Sequence, residues 1–451
     1  MQKIKKSSAK SNFSQVQTLA LQSAQKCSAY GKHLKANEVN LKQVAFEELP
    51  LCDKDNYTQK YPIEERIHQD KSLANFYMIC TSSGSTAEPT IWPRDYEYDR
   101  GLEPPHTKFL NEHFAFTQKK TLVVIAFGLG TTQAGMMHLK SSWEGSLHGQ
   151  ISVIAPNGDA EQTVFLLNKL HHHYEQIIAI GYPPIIGDFI DLASEKNLHP
   201  EKWQLKIVFA GESVSPLWRK EMAKKIGGNS SDIVSFYGST EAGMIGFESR
   251  EINQLINYCL DNEDLRFDLF KTFNLPTLVE VNFDKKYVEI VDGEIVVTAD
   301  QAVPLVRYNL HDRGFILESK TIQQILDHHQ IDYTYPKNQR LLVIYGRNLS
   351  RQISIEDMQN VFAILDLSKY FHKEFQYQEK SNKGIIVLSL SLYAKEGTSW
   401  TGAKEKIKTL EVKLAKKISK LIMSPQPVKV KIKVLDETQR LGYKSGKLRY
   451  L

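Results

Sequence analysis

At 451 residues the chain exceeds what one ordinary hydrophobic core organises, so two domains or one large subdivided domain are expected. Hydrophobic residues make up 41% and charged residues 24%, which excludes a disordered chain, and the sequence holds no apolar run of the length a membrane span needs. The formal net charge of +5 is mild and the lysines are dispersed, which argues against a nucleic-acid partner and fits an anionic ligand such as a nucleotide.

Residues 1–45, rich in Lys, Ser, Gln and Ala, read as helix with a loose start. Short runs rich in β-branched residues follow at 121–126, 150–154, 176–180, 205–209 and 233–236. Between them lie the helical patterns Ala160–Tyr174, Pro184–Lys196 and Pro216–Ile226. Strands alternating with helices at this spacing predict a mostly parallel α/β sheet. From 277 to 319 the character changes. Leu278–Val281, Tyr287–Ile290, Glu294–Thr298 and Gly314–Glu318 read as antiparallel strands, with Asp292-Gly293 as a tight hairpin turn. After Gly346-Arg347 the pattern restarts on a smaller scale, with a helix at 355–365, a strand at 384–393, a basic helix at 403–422 and a strand at 428–435. The expected fold is therefore α/β. A large N-terminal domain, 1–347, is made of α/β subdomains with a small antiparallel β part, and a small α+β domain spans 348–451.

The cysteines Cys27, Cys52, Cys80 and Cys259 form no Cys-x-x-Cys pair, so a cysteine-built zinc site is not expected. Their scatter fits a reducing compartment, and Met1–Asn12 has lysines but no apolar core behind them, so the chain reads as cytoplasmic. His171-His172-His173 reads as a solvated helix end, because consecutive helical residues point to different faces. In the basic helix, Ile407, Leu410, Leu414, Ile418 and Leu421 form an ordinary core stripe and the lysines a solvated face.

Four segments carry chemistry. Ser82-Ser83-Gly84-Ser85-Thr86, after the apolar Phe76–Cys80, has the hydroxyls and the glycine that let a loop wrap phosphates, although alone such a cluster is more often just a loop. Phe236-Tyr237-Gly238-Ser239-Thr240-Glu241 offers an aromatic surface, a turn, a hydroxyl and a carboxylate, the few ligands with which Mg2+ beside a triphosphate is usually held. Pro304–Asp312 ends in a carboxylate suited to two ribose hydroxyls. Near the end of the chain, Ser445-Gly446-Lys447 places a lysine on a glycine-containing turn.

In this order and at these separations the segments resemble the adenylate-forming superfamily of acyl-CoA synthetases, adenylation domains and luciferase. The phenylacetate–CoA ligase branch looks nearest, because Leu49-Pro50-Leu51-Cys52-Asp53-Lys54 and Tyr61-Pro62 resemble its opening segment. Phe209-Ala210-Gly211-Glu212 resembles the family's adenine-side turn. The resemblance implies ATP-dependent activation of a small carboxylic acid to its acyl-AMP with release of pyrophosphate. Transfer to CoA or another acceptor (an amine, a carrier protein or a protein residue) would follow. It implies ATP and Mg2+ as cofactors, with phosphates held by Ser82–Thr86 and Mg2+ by Glu241 with Thr240. Gly211, Glu212, Phe236 and Tyr237 would flank the adenine, with Gly238 and Ser239 in the same box, and Asp312 would take the ribose. Arg347 would contact the nucleotide at the domain junction, and Lys447 would swing to the α-phosphate on a mobile small domain. Tyr182, Phe127, Gly128 and Met136 are the implied walls for the acid; Gly128-Leu129-Gly130 lacks the third glycine of a dinucleotide loop.

The sequence departs from the family at Ala87 and Thr90 in the phosphate loop, and at His311, where glycine is usual. It also departs at Leu349, where the hinge Asp or Lys stands, and a glycine-containing hairpin after it is missing. That hairpin lines the pantetheine tunnel in the family, so the departure points to an acceptor other than CoA. A degenerate nucleotide-binding protein without turnover is the rival from another class.

Overall fold

Eleven strands join into one sheet whose direction of pairing changes part-way across. The computed structural model describes residues 15–346, apart from 83–88, 97, 98, 100–102, 273, 282–285 and 338. Beyond 346 it describes 361, 365, 367, 370–382, 385–395, 397, 400, 404–422, 428–435, 443, 444, 447 and 448.

A hairpin of β1 (Met78–Thr81) and β2 (Ile91–Arg94) stands apart as its own two-stranded sheet. The parallel half of the large sheet consists of β3 (Thr121–Ala126), β4 (Ile151–Ile154), β5 (Gln176–Gly181), β6 (Leu205–Phe209) and β7 (Ile233–Ser239), in the order β7-β6-β5-β3-β4. Every residue of β3 and β5 is buried, as expected for parallel strands covered on both faces. Each buried Val, Ile or Leu there contributes about 1.5–3 kcal/mol.

Helices α1 (Glu103–Phe114) and α2 (Gln133–Gly145) pack together, as do α3 (Ala160–Leu170) and α4 (Pro183–Glu195). Their starts are written in the sequence: Asp159 accepts from the Gln162 N–H at α3, and Pro183 sits in the first turn of α4.

The antiparallel half is β8 (Gly243–Phe247), β9 (Thr277–Val281), β10 (Lys286–Val291), β11 (Glu294–Ala299), β12 (Leu305–Glu318) and β13 (Arg340–Gly346), ordered β10-β11-β12-β13-β9-β8. This part is not a separate sheet, because β8 pairs with β7. The Asp292-Gly293 turn has φ of 51° and 79°, the doubly left-handed geometry that suits a two-residue hairpin. The opening segment 49–54 docks onto this half: Cys52 donates its N–H to the Arg307 carbonyl at 3.1 Å and accepts from the Asn309 N–H at 2.7 Å. Arg307 has φ of 46°, and its guanidinium reaches Glu289 at 2.9 Å and the Leu49 carbonyl at 2.6 Å.

After residue 346, β14 (Phe371–Asn382), β15 (Ile385–Ala394) and β16 (Val428–Leu435) form a three-stranded sheet, with β15 antiparallel to β14 and parallel to β16. Helix α5 (Lys404–Ile422) buries Leu410, Leu414 and Ile418 of the expected stripe in the core shared with Phe375, Leu390 and Val430; Ile407 is half-buried, and the side chain of Leu421 lies outside the described residues. Strands β2, β8, β13 and β14 were not expected; the helix expected at 355–365 falls almost wholly outside the described residues. No described helix is long and apolar enough to cross a membrane.

Candidate active site

β7 is the strand at which parallel pairing ends, and its carboxyl end is where loops from both halves converge. The strand runs on through Ser239, so Phe236 and Tyr237 lie within it and point to opposite faces. Tyr237 faces the antiparallel half, and its hydroxyl donates to Asp312 Oδ2 at 2.7 Å, which joins two segments 75 residues apart. Phe236 is buried against Phe109, His106 and His138 on the helix-covered face. The structure therefore brings Tyr237 to Asp312 but turns Phe236 away from both.

The register shifts between Tyr237 and Gly238, and a Cβ on Gly238 would lie 2.6 Å from the Gly243 carbonyl oxygen, so no side chain fits there. Ser239 Oγ accepts the Ala242 N–H at 3.0 Å and closes the turn carrying Thr240 and Glu241. Glu241 is 8% exposed; its carbonyl accepts from Gln301 Nε2 at 2.7 Å. No hydrogen bond or ion pair engages its carboxylate among the described residues. A nearly buried carboxylate without a cationic partner suits a divalent cation, so the residues fit Mg2+, with remaining ligands from a nucleotide and water. Among the described residues no three His, Cys, Asp or Glu side chains converge on a metal position, His171–His173 included.

Beneath this turn lies a set of buried charges that no motif announced. Arg94 Nε donates to Asp99 Oδ2 at 3.0 Å, and Tyr77 Oη donates to the same oxygen at 2.8 Å. Arg94 Nη2 lies 3.0 Å from where a Cβ on Gly243 would sit, and Lys286 Nζ donates to the Met244 carbonyl. Burial, aided by Arg94, pushes the Lys286 amine down to about 7.

Residues 83–88 of the phosphate-loop segment, with Ser83, Gly84, Ser85, Thr86 and Ala87, lie outside the described residues, but both ends of the loop are defined. Ser82 donates its N–H to the Thr90 carbonyl at 2.9 Å, and Ser82 Oγ accepts from the Thr90 N–H at 2.9 Å and from Thr90 Oγ1 at 3.1 Å. Trp92 Nε1 donates to Thr90 Oγ1 at 2.9 Å. Ser82 is thus the clasp of the loop, and Thr90, the departure from the family pattern, is its other jaw. Thr81 Oγ1 lies 2.7 Å from Thr131 Oγ1, which ties this hairpin to the loop after β3.

The turn after β6 has Gly211 at φ 95° and exposed, with Glu212 half-buried. Ser213 Oγ meets Thr277 Oγ1 at 2.6 Å, anchoring that turn to the start of β9. His311 has φ of 58°, the left-handed region, which gives a physical reason for glycine being usual there. Asn309 Oδ1 accepts its N–H at 2.8 Å, and its ring lies between Glu294 at 3.2 Å and Asp53 at 3.5 Å. Of the residues expected to wall the acid, Phe127 and Tyr182 are buried and Gly128 and Met136 half-buried. Arg347 and Leu349 lie outside the described residues. The backbone of Lys447 pairs with that of Lys444 in a two-residue hairpin, β17 (Tyr443–Lys444) with β18 (Lys447–Leu448).

No family model matches the chain. Over 182 residues it is 27% identical to an indoleacetate–lysine synthetase of Pseudomonas savastanoi, a stretch covering 37% of this chain and 38% of that protein. Among solved structures it is similar to 2-hydroxyisobutyryl-CoA ligase in its postadenylation state with 2-HIB-AMP, at TM-score 0.66 and 14% identity over 98% of this chain and 89% of that one. It is also similar to an acyl acid amido synthetase in complex with 2,4-DB, at TM-score 0.59 and 12% identity over 98% and 91% of the two chains. The chain therefore has the two-domain α/β fold of the adenylate-forming ligases.

Proposed function

We propose that the protein is an ATP-dependent ligase that activates a carboxylic acid as its acyl-AMP, expels pyrophosphate and passes the acyl group to an acceptor. The observation that carries this reading is the 2.7 Å hydrogen bond from Tyr237 to Asp312, which assembles a ring surface and a ribose-binding carboxylate at the carboxyl end of the sheet. Around it, the Ser82–Thr90 clasp shapes a phosphate loop, and Glu241 offers its carboxylate to Mg2+. When bound, Mg2+ would offset charge on the triphosphate and the leaving pyrophosphate. In-line attack brings two anions together, so positioning and cationic groups carry most of the catalysis. In this reading Gly211 and Glu212 border the base, Arg347 sits at the junction of domains 1–347 and 348–451, and Lys447 supplies the cation at the α-phosphate.

For the acceptor we favour an amine over CoA. Two of the similar proteins are named as amide-forming synthetases, and the short junction after Gly346 lacks the hairpin expected of a CoA ligase. The test is exchange of labelled pyrophosphate into ATP over a panel of aryl, fatty and amino acids, followed by addition of amines or CoA. Exchange with one acid class is expected, Lys447→Ala should lower it by about a hundredfold or more, and an amine should release AMP. Clean CoA-dependent release of AMP would overturn the acceptor. Silence across the panel in a protein shown to bind ATP would replace the whole reading by a non-catalytic one.

A further inference from the structure

One stretch of β12 is longer than the strand it pairs with. From Asn309 to Arg313 β12 takes four steps while β11 takes two, from Val296 to Glu294, so two residues of β12 bulge out of the ladder. Bulges re-aim side chains, and this one holds Leu310, His311 and Asp312. Asp312 leaves it toward Tyr237, whose hydroxyl donates to Oδ2 at 2.7 Å. The direction of that carboxylate therefore depends on what keeps the bulge in shape.

His311 anchors it at three points. Its backbone, at φ 58°, is left-handed, a region that glycine enters freely and a residue with a Cβ enters at a cost. Asn309 Oδ1 accepts its N–H at 2.8 Å. Nδ1 lies 3.2 Å from Glu294 Oε2 on β11, and Nε2 lies 3.5 Å from Asp53 Oδ2 in the opening segment. A neutral ring donates to one of these carboxylates according to tautomer, and an imidazolium to both. Both carboxylates are themselves held. Glu294 Oε2 accepts from Asn309 Nδ2 at 2.6 Å, and Asp53 Oδ1 accepts the Asn56 N–H at 2.7 Å. A side chain that only faced water would gain nothing to offset the left-handed backbone. The imidazole, exposed as it is, instead spans from β11 to the opening segment on its two nitrogens.

We infer that His311 is a positioning residue for the ribose. It clamps the bulge between β11 and the opening segment and so fixes the aim of Asp312, without itself touching the nucleotide. The inference rests on the ATP-dependent reading proposed above, and it brings Asp53 into nucleotide recognition at one remove.

The test compares ATP with 2′,3′-dideoxy-ATP, which keeps the base and the phosphates and lacks both ribose hydroxyls, by calorimetric titration of the full-length protein with Mg2+. The wild-type protein should bind ATP the more tightly, by about tenfold or more. His311→Asn supplies a residue that tolerates the left-handed backbone but is too short to reach both carboxylates. It should weaken ATP about tenfold, leave 2′,3′-dideoxy-ATP within about twofold and keep the melting temperature near that of the wild type. Asp53→Asn can still accept the Asn56 N–H but presents His311 with a neutral amide, and should weaken ATP about threefold. The double variant should bind ATP as His311→Asn does, because both changes cut one link. Equal loss with both nucleotides, or unaltered ATP affinity in either single variant, would overturn the inference. If His311→Asn does not fold, Asp53→Asn decides it by the same comparison. A wild-type protein that binds ATP but exchanges pyrophosphate with no acid would overturn adenylation and leave this inference standing; one that binds no ATP would overturn both.

Discussion

In the parallel half, strands β3, β5 and β6 bury apolar side chains almost without interruption, with Thr121 and Gln176 the buried polar residues at the strand starts, while the edge strand β4 is only partly covered. Between Lys286 and Asn309 the antiparallel half buries Lys286, Thr298, Arg307 and Asn309, each pinned by a named partner: the Met244 carbonyl, the Arg307 N–H, Glu289 and Glu294. The first half is held by area, which is non-directional and tolerant of repacking. The second buries an apolar core too, with Val288, Ile295, Val297 and Leu305 in it, and adds directed bonds, which fix where a strand and its side chains lie. Tyr237 comes from the strand both halves share and Asp312 from the directed half, so the site sits where a stable scaffold meets a positioned one.

That contrast can be broken or sharpened in four ways. The largest effect should come from Asp312→Ala, which removes the directed half's contribution to the site. Pyrophosphate exchange should fall about a hundredfold or more while the melting temperature stays nearly unchanged, and a similar loss of both would show that Asp312 is structural. Next is the seam itself, where Arg219 meets buried Glu248 at 2.6 and 3.1 Å and Ser235 and Asn253 also donate to Glu248. Arg219→Leu should destabilise by about 3–5 kcal/mol in urea unfolding by leaving Glu248 buried without its cation, and the double variant with Glu248→Met should recover much of that.

Lys286 gives a pH signature. The unfolded amine keeps its proton to about pH 10.4, whereas the folded one gives it up near 7. Between these values the unfolded state binds more protons, so stability should rise from pH 7 to 9 by about 2 kcal/mol, and Lys286→Met should flatten that rise. Equal slopes in both proteins would remove Lys286 from the account. The smallest effect is at the clasp: Ser82→Ala should cost about 1 kcal/mol of stability and weaken ATP binding more than it weakens the fold. Unaltered ATP affinity would mean that the ends of the loop do not shape it.

The segments legible in the sequence were those where one physical signal dominates. Continuous β-branched runs marked β3, β5 and β6, alternation marked β16, and Asp292-Gly293 marked its hairpin. Strand β14, with its Phe-His-Lys-Glu-Phe-Gln-Tyr-Gln sequence, is too polar to show a period and went unseen. Gly238 and Ser239 read as turn residues but end a strand, so Phe236 and Tyr237, both expected to flank the adenine, point to opposite faces. Thr90 looked like a lost lysine until its bonds to Ser82 were visible. His106 and His138, separated by 32 residues on two helices, and Arg94 with Lys286 on distant strands, have nothing local in common. They are neighbours only through tertiary folding, which no window along the chain can display.

The hydrogen bond between Tyr237 and Asp312 has a consequence for nucleotide choice. In the proposed reading, the Tyr237 hydroxyl is a standing partner of the carboxylate that is also to accept the sugar, and a carboxylate has acceptor sites enough for one phenol and two ribose hydroxyls. The phenol would then aim the carboxylate rather than block it, and a 2′-deoxynucleotide, with one hydroxyl fewer to donate, is expected to gain less from that aim.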